Sequence, residues 1–195
     1  MRHAKGCSIG KNLNSVLEFS LLIKLDCPVM AETLSVSQTT DRAAMYAELA
    51  PQIAAIIDGE SNLTANLANI AAALKQTFGF FWVGFYVARG GELVVGPYQG
   101  PLACTRIAFG KGVCGAAYSS GEVQVVPDVD KFPGHIACAS ESRSEIVVPI
   151  FKPSGEVWGV LDVDSDKLNG LGDDDARGLT EIVRVLEKTF TEETV

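Results

Sequence analysis

Apolar positions along the chain change period twice, and those changes divide it into elements. From about Asp41, Tyr46, Leu49, Ile53, Ile56 and Ile57 recur at helical spacing, with Thr40 or Asp41 as N-cap and Asp58-Gly59 as the stop. Pro51 sits inside this stripe and predicts a kink or break, because it lacks an N–H for the helix. A second helix follows Ser61, with Leu63, Leu67, Ile70 and Leu74 on one face. The period then falls to two. Phe81, Val83, Phe85 and Val87 alternate with Trp82, Gly84 and Tyr86 across Phe80 to Ala88. Arg89-Gly90-Gly91-Glu92 signals a hairpin turn, with Leu93 to Val95 as the return strand. Further strands are expected at Leu102 to Ile107 and Val123 to Val126, on either side of a short helix, Gly112 to Ser120, closed by Gly121. Glu145 to Phe151 and Val157 to Asp164 form a second hairpin. A last helix spans about Asp173 to Phe190, its three leading aspartates suiting the positive N-terminal end.

Helices, antiparallel strands, a hairpin and a final helix make an α+β fold, with helices grouped against one sheet face. The other face is left for ligand or solvent. The irregular stretch from Pro127 to Ser144 is long for a compact domain, and loops of that kind usually bind or cover a ligand.

Composition narrows the function. A net charge of −8 argues against nucleic acid, whose phosphates need clustered Lys and Arg. No apolar run reaches the length needed to span a membrane. Residues 1–29 differ in sign: Arg2, Lys5, Lys11 and Lys24 against Glu18 and Asp26 give +2, leaving −10 on the remainder. Glu18 and Lys24 interrupt the apolar stretch there, which disfavours a signal peptide, and Met30-Ala-Glu-Thr-Leu reads as an ordinary cytosolic start. The expectation is an upstream or misassigned extension outside the fold, with Cys7 and Cys27 as bystanders. The domain map is then 1–39 extension, 40–190 single domain and 191–195 tail.

Candidate chemistry centres on Cys104, Cys114 and Cys138, with His135 just before the last. Three thiols in a reducing compartment suggest chemistry more than crosslinking. Zinc ligation by three Cys and His135 fits the count, although the ligands lack the close pairing usual for tetrahedral sites. Buried small hydrophobes and a redox relay are the other readings, and all three stay open on these residues alone. Asp162 and Asp164 lie at i and i+2 on one strand, and Glu145 opens the strand paired with it. Carboxylates at strand ends are often simply solvated. Three converging on a concave face would instead receive an ammonium group or supply a proton. Trp82 and Tyr86 share a strand face and either pack the core or wall a pocket.

Seven segments in order carry a resemblance. They are Phe80-Phe-Trp-Val-Gly-Phe-Tyr, Gly96-Pro-Tyr-Gln-Gly-Pro-Leu-Ala-Cys, Gly110-Lys-Gly-Val-Cys-Gly, Val126-Pro-Asp-Val, Phe132-Pro-Gly-His-Ile-Ala-Cys, Ser144-Glu-Ile-Val-Val-Pro and Gly159-Val-Leu-Asp-Val-Asp-Ser. Together they resemble the free methionine-(R)-sulfoxide reductases, stand-alone GAF domains, across roughly residues 40–190. The resemblance implies a GAF-type fold, with terminal helices on one sheet face and a ligand pocket on the other. It implies reduction of free methionine (R)-sulfoxide by Cys138 as nucleophile, resolution by Cys104 through a disulfide, Cys114 as an auxiliary thiol and thioredoxin as reductant. Glu145, Asp162 and Asp164 would take the substrate's ammonium, and Trp82 and Tyr86 its methyl-sulfinyl end. His135 would orient the loop, lower the pKa of Cys138 or do neither. No cofactor or metal is implied, the cytoplasm is the expected compartment, and a homodimer is compatible with the resemblance. The competing reading is a non-enzymatic GAF sensor of a small ligand or of redox state.

Overall fold

The computed structural model describes residues 33–136, 138–191 and 195. The expected extension over residues 1–29, with Cys7 and Cys27, therefore lies outside the described residues. Residues 33–39, assigned to that extension from sequence, run along the first helix. The Ser35 and Ser37 N–H groups donate to Gln52 and Glu48, and Leu34 and Val36 pack against the core.

Four helices and six strands follow: α1 (Arg42–Ile57), α2 (Leu63–Phe78), β1 (Trp82–Arg89), β2 (Glu92–Gln99), β3 (Arg106–Ala108), α3 (Gly112–Ser120), β4 (Gln124–Val126), β5 (Ser144–Phe151), β6 (Val157–Ser165) and α4 (Asp173–Glu187). Asp41 caps α1 by accepting from the Ala44 N–H, and Asn62 caps α2 through Ala65. Pro51 lies within α1 without ending it, so the predicted break does not occur. Leu49, Ile53 and Ile57 on either side of it are fully buried, and that packing outweighs the one hydrogen bond proline withholds.

The strands form one antiparallel sheet in the order β3-β2-β1-β6-β5-β4. Alternation divides its two faces. Val83, Phe85, Ile146, Val148, Leu161 and Val163 pack under α1, α2 and α4. Trp82, Tyr86, Val147 and Val160 point the other way, beneath Val113, Cys114 and Ala117 of α3. Asp175 ties the helical layer together. It accepts from Arg42 and from the Tyr46 hydroxyl on α1, and from the Gly172 N–H at the start of its own helix.

Two departures from the sequence reading shape the second face. The return strand continues through Gly96 and Pro97 to Gln99, because the β1–β2 register shifts between Gly84 and Tyr86. That bulge accommodates a proline that could not join a regular ladder. The third strand is shorter than expected and begins at Arg106. Before it the chain arcs over the sheet, where the Pro101 carbonyl accepts from Trp82 Nε1 and the Cys104 carbonyl from the Tyr86 hydroxyl. These carbonyls serve side chains instead of a strand ladder.

Gly84 sits where this face is tightest. A Cβ there would meet Tyr98 Cβ at 2.2 Å and the Trp82 ring at 2.7 Å. Gly84→Ala is therefore expected to cost about 1–3 kcal/mol, as overpacking does, and to displace the Trp82 ring. Urea denaturation and tryptophan fluorescence measure both, and an unchanged midpoint would refute this close packing.

Candidate active site

Strand register assembles the floor of the site. Asp164 on β6 lies between Trp82 on β1 and Glu145 on β5, and Asp162 lies between Gly84 and Val147. Side chains of alternate residues share a face, so Trp82, Glu145, Asp162 and Asp164 all rise from the second face of the sheet. Because Gly84 has no side chain, Tyr98 and the Trp82 ring close in beside the row containing Asp162.

Above the floor, α3 contributes Cys114 from its first turn. The loop after β4 contributes His135, Cys138 and Ser142, and Leu102 and Ala103 come from the arc before β3. These residues, with Trp82, Tyr86 and the three acids, line one narrow cavity. A disulfide joins Cys104 to Cys138 across 34 residues of sequence, with the Cα atoms 5.2 Å apart. Each residue singled out from sequence thus lines this cavity, or, in the case of Cys104, is bonded to one that does. Cys114 is the free cysteine among the described residues, and it is buried. The disulfide removes Cys104 and Cys138 from any three-cysteine zinc site.

Close contacts link these groups. Cys114 Sγ lies 3.9 Å from Glu145 Oε1, and His135 Nε2 lies 3.9 Å from Glu145 Oε2. Ser142 donates its hydroxyl to Asp164 Oδ1. Asp162 Oδ1 is buried with no hydrogen-bond partner. On the wall, the Trp82 ring stacks on Tyr98 at 5.2 Å and lies 6.0 Å from Tyr86. Sequence reasoning missed Ser142 as part of the site and Tyr98 as the ring that backs Trp82. Tyr98 stood in a quoted segment with no strand assigned to it, and Ser142 lies in a loop without periodicity.

Known proteins resemble this chain in both sequence and fold. Residues 62–189 match the GAF domain family. A solved free methionine-R-sulfoxide reductase from Neisseria meningitidis, in complex with its substrate, is 53% identical. Its TM-score is 0.78, with 81% of this chain and 95% of that one covered. The free methionine-R-sulfoxide reductase of Escherichia coli strain K12 is 42% identical over 77% of this chain and 91% of its own length. GAF domain-containing protein A of Dictyostelium discoideum is 54% identical over 81% of this chain and 99% of its own length.

The chain belongs to the free methionine-(R)-sulfoxide reductase family of GAF domains.

Electrostatics in this reductase-family cavity run against ionisation. Burial, then the Asp162 and Asp164 charges, hold the Glu145 carboxyl well above its usual range. Burial and the Asp164 charge raise Asp162 likewise. Asp164 is raised to about 6 by burial, with the Ser142 hydrogen bond opposing the shift. Cys114 stands on the first turn of α3, where a helix end alone would favour thiolate. Burial and the neighbouring carboxylates outweigh that pull and push the thiol up. Burial also lowers the His135 imidazole.

Asp164 gives a testable linkage. Its folded pKa of about 6 exceeds the ordinary 3.8, so the native state binds the extra proton between those values. Its contribution to stability is full below pH 3.8 and is lost as pH rises through 6. The fall is at most about 1.4 kcal/mol per pH unit for one proton. Urea unfolding of Asp164→Asn between pH 4 and 6 is expected to show a shallower pH dependence than the wild type. Equal slopes would remove Asp164 from the account.

Proposed function

We propose that this chain reduces free L-methionine (R)-sulfoxide to methionine, with electrons supplied through its cysteines. The observation that carries the reading is one cavity holding both a cysteine pair able to cycle between thiols and disulfide and an acidic floor with an unpartnered carboxylate oxygen. Free methionine sulfoxide brings complementary groups to both parts. Its α-ammonium is the cation that Glu145, Asp162 and Asp164 lack. Its carboxylate suits the first turn of α3, where the Gly112, Val113 and Cys114 N–H groups have no acceptor within the helix. Its methyl-sulfinyl end lies against Trp82 and Tyr86, an apolar wall that sorts epimers by where methyl and oxygen fit.

The chemistry then balances in three steps. Cys138 thiolate attacks the sulfoxide sulfur, an acid of the floor protonates the sulfoxide oxygen, and methionine leaves as Cys138 becomes a sulfenic acid. Burial keeps Glu145 and Asp162 able to hold that proton near neutral pH. Cys104 thiol attacks the Cys138 sulfur, releasing water and forming the disulfide. An external dithiol of the thioredoxin class reduces it through a mixed disulfide. Cys114, buried and neutral, stands by as a third thiol for exchange. Recycling of this kind belongs in the cytoplasm, where dithiol reductants operate.

The direct test supplies dithiothreitol and each epimer of free methionine sulfoxide and measures methionine. Turnover of the R epimer is expected, and preference for the S epimer would overturn the reading. Cys138→Ser should lower kcat by at least about a thousandfold, because it removes the nucleophile. Cys104→Ser should still release about one methionine per chain in a first turnover yet fail to recycle with thioredoxin. Full activity of Cys138→Ser would reassign the nucleophile.

A further inference from the structure

We propose that Cys114, Glu145 and Asp162 form a binding site for a divalent cation of borderline softness, with Zn²⁺ the fitting ion and His135 its fourth ligand. The sequence suggested a different set, three cysteines with His135, and the Cys104–Cys138 disulfide dissolves that set. In its place the fold brings one thiol and two carboxylates together from α3, β5 and β6, with potential ligand atoms all within 4.8 Å of one another. Around tetrahedral zinc, an oxygen and a sulfur ligand stand about 3.5–3.7 Å apart. The 3.9 Å between Cys114 Sγ and Glu145 Oε1 is close to that spacing. His135 stands outside that cluster, but its Nε2 lies 3.9 Å from the second Glu145 oxygen, and an ion bound to Glu145 would draw the imidazole in as its fourth ligand.

A second feature points to a cation independently of this clustering. Asp162 is 6% exposed, and its Oδ1 is buried against the cavity without a hydrogen-bond partner. Gly84 and Val147 flank it in the sheet and offer no donor side chain. Lys111, in the cavity lining, is itself exposed. A buried carboxylate oxygen without a partner is costly, and a metal ion satisfies it while displacing the protons that Cys114 and the acids otherwise hold. One sulfur, two oxygens and one imidazole nitrogen select zinc or cobalt over magnesium or calcium, which take oxygen ligands. Both carboxylates stand on central strands, so the site is preorganised. Such an ion would occupy the place given above to the substrate ammonium and act as a reversible inhibitor. That consequence rests on the proposed function, whereas the binding does not.

The test needs no substrate. A full-length Cys7→Ser, Cys27→Ser chain in its Cys104–Cys138 disulfide form retains Cys114 as its remaining thiol. Titration with Co²⁺ is expected to give a sulfur-to-cobalt charge-transfer band that saturates at one equivalent and disappears when Zn²⁺ is added. Cys114→Ser should abolish the band, and Asp162→Asn should weaken Co²⁺ binding at least tenfold. A blank spectrum at millimolar Co²⁺, or a band indifferent to Asp162→Asn, overturns the proposal. If Asp162→Asn does not fold, X-ray absorption of the zinc-loaded protein decides. One sulfur with nitrogen and oxygen neighbours supports the site, and a shell without sulfur refutes it.

Discussion

Three carboxylates on one face of a sheet, Glu145 and Asp162 buried and Asp164 half-buried, with no lysine or arginine paired to them among the described residues, are the constraint on which the rest of the structure turns. Ionised acids in such surroundings repel one another and lose their hydration. The fold answers with partial measures: a serine hydroxyl on Asp164, a thiol near Glu145 and retained protons. None of these supplies a positive charge. On the proposed reading the substrate's ammonium arrives with one, and the energetic deficit becomes binding specificity.

Floor and lid divide the work by kind of element. The acids and Trp82 stand on β1, β5 and β6, the central strands, whose opposite faces pack under three helices. That backing fixes carboxylate positions to the precision that recognition needs. The sulfurs of Cys104 and Cys138 are carried instead by irregular segments that cross above the floor. Thiol chemistry requires groups that meet, separate and meet an external partner, which a strand ladder would forbid. A pairing across 34 residues is reasonable for two loops anchored to one sheet, through Tyr86 on one side and the Arg143 backbone bond to Ser165 on the other.

Much of this was legible in the sequence where periodicity was clean. The alternation through Val83 and Phe85 against Trp82 and Tyr86 assigned both faces of β1, and the i, i+2 spacing of Asp162 and Asp164 placed them together. Asp41, the double glycine at 90–91 and Gly121 marked real caps and turns. What stayed hidden depended on contacts between distant segments. Nothing local foretells that Gly96 and Pro97 enter a bulge, that Tyr98 then stacks on Trp82, or that Ser142 reaches Asp164. At Cys114 the pull of the helix end toward thiolate is overridden by burial and by carboxylates contributed from two strands. In each case the deciding neighbour lies far away in sequence.

The account makes the acidic floor a receptor for a free ammonium, so blocking that group is its most direct test. Comparing kcat/KM for free L-methionine (R)-sulfoxide and its N-acetyl derivative isolates the ammonium, because the sulfoxide and carboxylate are unchanged. A site built around a charged donor should reject the amide by at least about a thousandfold. Reduction of both compounds within tenfold of each other would contradict the claim that the buried carboxylates choose the substrate.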